Sequence, residues 1–500
     1  MELQVSEGAR AVVIATFFIY TAIMLLIGYF AKKNMDRVSV NKYLDEFYTG
    51  GRGMGSLVVA MMIAAGLCSA GTFLGGPGLG YRLGGTWVLV AGAQNFMNFI
   101  VLGEVGKKIG IVSRRIGAQS IFGLIMHRFN KSRLIGVFGV LSIVCFMGSY
   151  VVAQIVGGSR LFESMTGMSY ELGLLLFSGV VLAVIAIGGI KGVALAIVFQ
   201  GIVMTIAVLA LTAGSVTYAA PLEATLKGIG QASPNLLSPW SWPVAYHMSM
   251  WLNFGFVIIG LPHAAVGALT YKDTRAMHKA ILIGGVFVVL WTMTLPYLGI
   301  LANAIVPGLK VADHAIPALA MVVLPPWLAG ITLAGVTGAI QSTVGAMIIV
   351  ITSSLVKDAY QTLIRPDASS ESLKKINFWT TIAVCALIFA ASVKPPQALQ
   401  HLVIFSVGGL ASSFFWPLLL GLYSMRVNEF GAAAGMMGGL TTYILGAGNF
   451  LPFSITFGMH AIVVSLIVSL VLTVGVSCVT PKTPRGIIRV WFGVTEKNAQ

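Results

Sequence analysis

Sixteen acids, seven histidines and scattered hydroxyls are all this sequence offers for proton, metal or nucleophilic chemistry. The acids are poorly placed for it. Nearly all lie in polar stretches or at the ends of apolar runs, and Glu104, Glu163 and Glu171 come nearest to the interior, each at a boundary. No His-Glu-x-x-His pattern, acid pair or phosphate-binding loop is found, so an enzyme is not the reading. A proton relay wants a titratable group inside an apolar run. Only His263, His401 and His460 could serve, and a lone histidine in a helix is more often packed and satisfied. Ser342 and Thr343 place two hydroxyls one step apart in an uncharged run. Neutral oxygens suit a hard cation. Such hydroxyls also bond back onto their own helix or across to another, and residue type alone leaves both readings open.

The elements that would carry these groups follow from composition. Of 500 residues, 57% are hydrophobic and 9% charged, against about 25% charged in soluble domains. That charge cannot clothe a soluble protein of this size, and a polytopic membrane protein remains. The net charge of +15 does not point to nucleic acid, because the basic residues fall between apolar runs. Cys68, Cys145, Cys385 and Cys478 all lie in apolar tracts and read as small packing residues. The N-terminus has no basic leader, and the run 11–31 is too long for a signal peptide, so it reads as a retained first helix.

Charge-free windows of about 20 residues predict thirteen spans: 11–31, 54–80, 84–106, 134–159, 170–190, 192–218, 248–270, 280–304, 324–356, 376–393, 397–423, 431–448 and 457–480. The fold class is an all-α polytopic membrane protein, with 1–480 one transmembrane domain and 481–500 a cytoplasmic tail. Twenty-five of the 31 Lys and Arg fall in odd-to-even loops and the tail, among them Lys107, Arg114, Lys131, Lys357 and Arg426. The other six are Arg10, Arg82, Arg160, Lys227, Lys310 and Lys394. The bias puts the N-terminus outside and the C-terminus in the cytoplasm. The loop 219–247 carries four prolines with Trp240 and Trp242, residues that anchor at membrane interfaces. The stretch 118–131 reads as an amphipathic helix on the membrane surface.

Two spans carry signs of interruption. The second has small residues from Ala64 to Gly78, with Pro77 among them; the seventh has Gly255, Gly260 and Pro262. Taken singly, each could reflect close helix packing. Together they are stronger, because spans five apart cross in opposite directions, and paired broken helices in inverted halves mark a transporter's central site. Half-helix N-termini could face an anion, and freed carbonyls a cation.

At these segments the chain resembles the sodium:solute symporter family, and within it the sodium/pantothenate branch. The matching stretches are Phe47-Tyr-Thr-Gly-Gly-Arg52-Gly-Met-Gly, Phe73-Leu-Gly-Gly-Pro77-Gly, Gly106-Lys-Lys-Ile, Gly260-Leu-Pro-His263-Ala-Ala and Tyr271-Lys-Asp273. They continue with Leu324-Pro-Pro-Trp-Leu-Ala-Gly, Ala339-Ile-Gln-Ser342-Thr343, Lys357-Asp358-Ala-Tyr360 and Ile364-Arg-Pro-Asp367. The resemblance runs in order from about residue 40 to 425.

It implies a five-plus-five inverted-repeat, leucine-transporter-like core over about 54–423. One helix leads it, 11–31, and two trail it within 431–480. It implies a cell-membrane symporter, not an enzyme, that imports a small organic solute with sodium by alternating access. The solute would be pantothenate or a similar carboxylate, and no cofactor beyond the transported ion is implied. By alignment, sodium would meet the backbone oxygens of Ala65, Cys68 and Ala339 and the hydroxyls of Ser342 and Thr343. Thr72, Gln94, Leu261, Pro262 and His263 would face the substrate. Leu67 stands where proline transporters of the family carry an acid, Ile197 where many members carry an aspartate, and Gly267 where members often carry an arginine. Leu67 and Ala91 replace polar residues of sugar transporters, which argues against a sugar. A same-fold symporter for proline or a short monocarboxylate, with weak or proton-based coupling, is the alternative.

Overall fold

The computed structural model describes residues 7–35, 37–394 and 399–493; the side chains at 32, 35, 182–191, 399–401, 453 and 454 lie outside the description. His401 as a titratable candidate therefore falls outside it. Among the described residues the chain is helical with no strand, as a lipid-facing backbone requires: with no water to bond, each N–H and C=O must be satisfied within its own segment. Among the described residues nine helices are long and apolar enough to cross a membrane, and a pair bent by 60°, Ser56–Leu67 with Gly71–Leu83, makes a tenth when taken as one span. The other three expected spans are present as helices too: Tyr170–Val181, Val244–Gly260 and Glu429–Ala447.

The fifth and sixth spans belong to one helical element of 49 residues, Tyr170–Tyr218. Drawn straight at 1.5 Å per residue it would reach about 74 Å, more than twice the hydrocarbon thickness. Yet both its ends lie on one face. The Tyr170 hydroxyl donates to the Ser392 carbonyl (2.6 Å), where the tenth span ends. Gly214 packs on Val323 and Leu324, where the ninth begins. Tyr170–Val181 and Gly192–Tyr218 are therefore two antiparallel arms.

The second and seventh spans meet where their directions demand. Met54, before the second, accepts from Lys272 N–H and donates to Thr270 O, both at 3.0 Å. The start of one span thus touches the end of the other. The Gly50-Gly51-Arg52 run leading into the second span has φ of 62°, 65° and 56°, which explains the paired glycines. Arg52 then donates to the Ala118 carbonyl at 2.8 Å.

The glycine-rich half of the second span serves packing and contains no break. A methyl on Gly80 would strike the Pro296 carbonyl of the eighth span, Thr274–Ile305, and one on Gly299 would strike the Pro77 carbonyl. The two helices approach through reciprocal small residues. Pro77 stands just after the wider turn Gly71–Gly75 inside the helix Gly71–Leu83, and such a local widening is one way a membrane helix accommodates a proline.

Several expectations need correction. The helix near 118–131 spans Ile121–Arg128, capped by Ser120 onto Gly123 N–H, and does not lie exposed on a surface. Arg128 is fully buried and donates to the carbonyls of Gly421, Ser424 and Val427 and to Thr483 Oγ1. Burial brings its pKa down to about 10, so it stays charged at neutral pH within a shell of neutral oxygens. The helix of the ninth span continues past 356 to Ile364, and its last turns carry Asp358, buried and bonded to Ser120 Oγ at 2.7 Å. Trp240 is exposed, but Trp242 packs on Trp87 and Tyr246. Cys68 is buried, whereas Cys145 and Cys478 are exposed and are not packing residues.

Gly80→Ala is expected to destabilise the protein by about 1–3 kcal/mol, as overpacking of a closed contact does. Gly475→Ala, with open space around it, should be close to neutral. Thermal unfolding in detergent compares them, and equal melting temperatures would contradict the close approach.

Candidate functional site

The break in the second span lies at Cys68–Ala70. Helical bonding ends with Cys68 N–H to Ala64 O (3.0 Å), and Cys68 turns to φ −81°, ψ 97°. The freed groups find partners on other spans. Ala65 O accepts from Ser342 Oγ at 2.7 Å and lies 3.4 Å from Thr343 Oγ1. Both hydroxyls also reach Ala339 O, at 2.9 and 3.1 Å. Ala70 N–H donates to Gln154 Oε1 (2.7 Å) and Gly71 N–H to Ser69 Oγ (3.1 Å), while Ser69 Oγ lies 3.2 Å from Tyr150 OH. The break is thus set by tertiary partners on the fourth and ninth spans.

Four neutral oxygens from two spans therefore converge: Ala65 O, Ala339 O, Ser342 Oγ and Thr343 Oγ1. All four residues are buried, with no more than 1% of any exposed. The hydroxyls bond back to Ala339 and across to Ala65, which is the packing reading of them. Cys68, the remaining expected ligand, sits at the break with its thiol beside Thr72. An oxygen shell at about 2.3–2.6 Å from a hard cation has neighbouring oxygens about 3.3–3.7 Å apart in an octahedron. The cluster is slightly tighter. A cation would enter as the hydroxyl protons turn outward and the oxygens spread by about half an ångström.

The ninth span is also held from behind. Tyr20 of the first span donates to Gln341 Oε1 at 3.0 Å, beside Ser342, and Gln200 Nε2 lies 3.4 Å from Tyr20 OH. Gly338 leaves the room, because a methyl there would meet Gln200 and the Tyr20 hydroxyl at 3.2–3.3 Å.

On the other side of the break lies a small cavity of ≈ 40 Å³. Its walls include Leu67, Ser69 and Thr72 from the second span, Trp87, Ala91 and Gln94 from the third, Tyr150 from the fourth, Asn253, Leu261 and His263 from the seventh, and Thr292 from the eighth. Thr72, Gln94, Leu261 and His263 are thus brought together as expected. Pro262 does not line it; it lies in the turn, Leu261–Val266, that interrupts the seventh span after Val244–Gly260. No Asp, Glu, Lys or Arg is among the lining residues. His263 packs edge-on against Tyr150, with ring centroids 5.8 Å apart and Nδ1 without a partner.

The half-helix N-terminus at Ala70 is not a free anion site, since the Ala70 and Gly71 amides are already bonded to Gln154 and Ser69. Sequence reasoning missed Tyr150, Gln154, Trp87 and Asn253. The available signal was polar side chains inside charge-free runs, Tyr150 and Gln154 four residues apart on one helix face. Of the departures, Leu67 and Ala91 do line the cavity and Ile197 is buried. A side chain on Gly267 would meet Ile63 at 2.9 Å, so an arginine there would have to displace the core.

The family described as the sodium:solute symporter family matches residues 47–439. Among curated proteins, a sodium/pantothenate symporter of Escherichia coli is 35% identical over 92% of this chain and 94% of its own. One of Haemophilus influenzae is 33% identical over 86% and 89%, and an osmoregulated proline transporter of Bacillus subtilis is 27% identical over 97% and 98%. Among solved structures, a sodium-coupled sialic acid symporter in a substrate-bound outward-open state aligns with a TM-score of 0.78 at 17% identity, covering 95% of this chain and 99% of that one. That likeness is one of fold.

Gln154→Leu removes the acceptor for the Ala70 amide while keeping bulk. Leaving that buried N–H unpaired should cost about 1–3 kcal/mol and speed amide exchange at Ala70. Exchange as slow as in the unaltered protein would mean the bond does not hold the break.

Proposed function

The chain belongs to the sodium:solute symporter family, and on that premise we propose that its solute is pantothenate or a closely similar carboxylate, bound in the central cavity together with sodium at the Ala65–Ala339–Ser342–Thr343 cluster. The protein is a sodium-coupled symporter and not an enzyme. The carboxylate identity is our reading. The observation that carries it is a solute cavity with no cationic wall residue lying across one helix break from a nest of neutral oxygens.

A carboxylate entering an apolar cavity loses hydration and needs positive charge nearby. This cavity supplies neutral donors, and the ion on the far side of Cys68 supplies the charge. Sodium in turn needs oxygens and offers no proton to store, which suits a cluster without acids. Each ligand then makes the other's binding more favourable, and the coupling is reciprocal. Cys68 O completes the ion's shell. Thr72, Gln94, Leu261 and His263 hold the solute, and Pro262, lacking an N–H, keeps the Leu261–Val266 turn open. Sodium moving inward contributes about 2.3 kcal/mol per charge per 100 mV of potential.

Two relatives above 30% identity are named for pantothenate, which supports that solute over proline. Leu67 on the cavity wall, in place of an acid, leaves nothing to pair with an imino cation. Residues 1–480 act as one transmembrane unit and 481–500 as a cytoplasmic tail. The protein lies in the cytoplasmic membrane with its N-terminus outside, as the bias of 25 to 6 Lys and Arg directs.

Uptake into proteoliposomes tests the reading. An imposed sodium gradient should drive labelled pantothenate inward, and unlabelled pantothenate should compete where proline and short monocarboxylates do not. Uptake driven equally by a proton gradient without sodium, or competition by proline alone, would overturn it. Ser342→Ala with Thr343→Ala should abolish sodium stimulation while leaving membrane insertion intact; unchanged sodium dependence removes the site. His263→Ala should raise the solute KM about tenfold, the scale of one lost hydrogen bond, with sodium half-saturation at saturating solute little changed. A parallel loss of both would make His263 structural.

A further inference from the structure

Two side chains on the cavity wall are polar, buried and unpartnered. Asn253 is fully buried, and neither its carboxamide oxygen nor its nitrogen has a hydrogen-bond partner. Trp87 is 2% exposed and its indole N–H is likewise unpaired. That nitrogen faces Gly76, only 3.5 Å from where a Cβ would stand, so the missing side chain leaves it room. The two groups are joined by packing, since Phe254, next to Asn253, meets Trp87 edge to face with ring centroids 5.5 Å apart. Both belong to the wall shared by Thr72, Gln94 and His263.

Buried polar groups are nearly always paired, and those that are not call for an explanation. Here these three unpaired atoms, beside the unpaired Nδ1 of His263, belong to side chains of one cavity wall. A carboxamide presents donors and an acceptor side by side, and an indole presents one donor. Since both carboxamide atoms lack partners, exchanging oxygen and nitrogen changes nothing. A bare carboxylate offers only acceptors and would leave the Asn253 oxygen unpaired. A secondary amide offers an N–H and a carbonyl together and satisfies all three.

We propose that Asn253 and Trp87 are specificity-determining residues that pair with an uncharged amide of the solute, apart from its carboxylate. The assignment rests on the function proposed above and narrows it to amide-bearing carboxylates. The Asn253 oxygen accepts the solute N–H, and the Asn253 amide and Trp87 indole donate to its carbonyl.

The test uses the full chain in proteoliposomes with labelled pantothenate, whose amide lies between its hydroxylated and carboxylate ends. The competitor is its ester analogue, in which oxygen replaces the amide N–H. The unaltered protein should prefer amide over ester by at least about tenfold, because a site built to pair an N–H rejects the analogue lacking it. Asn253→Leu should raise the pantothenate KM about 10- to 100-fold and erase that preference, leaving sodium half-saturation, read at saturating pantothenate, unchanged. Trp87→Phe should raise the KM less and keep the preference, since amide and ester both carry the carbonyl. An unaltered protein that takes amide and ester equally well overturns the inference without any variant. So does Asn253→Leu retaining the preference, or shifting sodium half-saturation even at saturating pantothenate. Pantothenate uptake with no amide preference sinks this inference alone; no sodium-driven uptake of any such carboxylate sinks it together with the functional reading.

Discussion

A helix that stops in mid-membrane leaves backbone groups with nowhere to bond, and this constraint organises the centre of the molecule. Water is absent at that depth, so every freed N–H and C=O must find a partner in the protein or in a ligand. At Cys68 the second span meets this demand from two sides. The Ser342 hydroxyl takes up the carbonyl of Ala65, and the Gln154 carboxamide takes up the amide of Ala70. The position of the break, the oxygen cluster and one wall of the cavity all follow from those two contacts.

Under the proposed function, the same arrangement would link ion and solute with few charges. Ala65 and Leu67 are two residues apart, yet one joins the oxygen cluster and the other the cavity wall. A shift of the short segment between them is felt on both sides. The ninth span answers to a third party, the leading helix, whose Tyr20 hydroxyl grips Gln341 immediately before Ser342. A helix outside the repeated core thereby helps set the rotation of the helix that carries the hydroxyls.

Much of this was legible from residue order, and the rest was not for identifiable reasons. Apolar runs and basic loops divided the chain into its crossings, because desolvation of the backbone leaves few alternatives. Pro262 marked the seventh-span interruption, since a residue without an N–H leaves a gap that Gly260 beside it does not refill. In the second span the small-residue run from Ala64 to Gly78 marked the interruption broadly, and the break falls at its Cys68-Ser69 while Pro77 lies inside the helix Gly71–Leu83. That break is decided by Gln154 and Ser342, 84 and 277 residues away from their partners, which no local pattern reveals. The hydroxyl pair was legible as a cation candidate. Asn253 and Trp87 were not, because a single asparagine or tryptophan in an apolar run reads as packing until the cavity beside it is seen.

The paired hydrogen bonds of Met54 with Thr270 and Lys272 have a mechanical meaning. They yoke the foot of one interrupted helix to the foot of its inverted counterpart, so neither foot can swing outward alone without tearing two main-chain bonds. A gate on the basic side must therefore move as a two-legged frame, with both feet leaving the bundle in step.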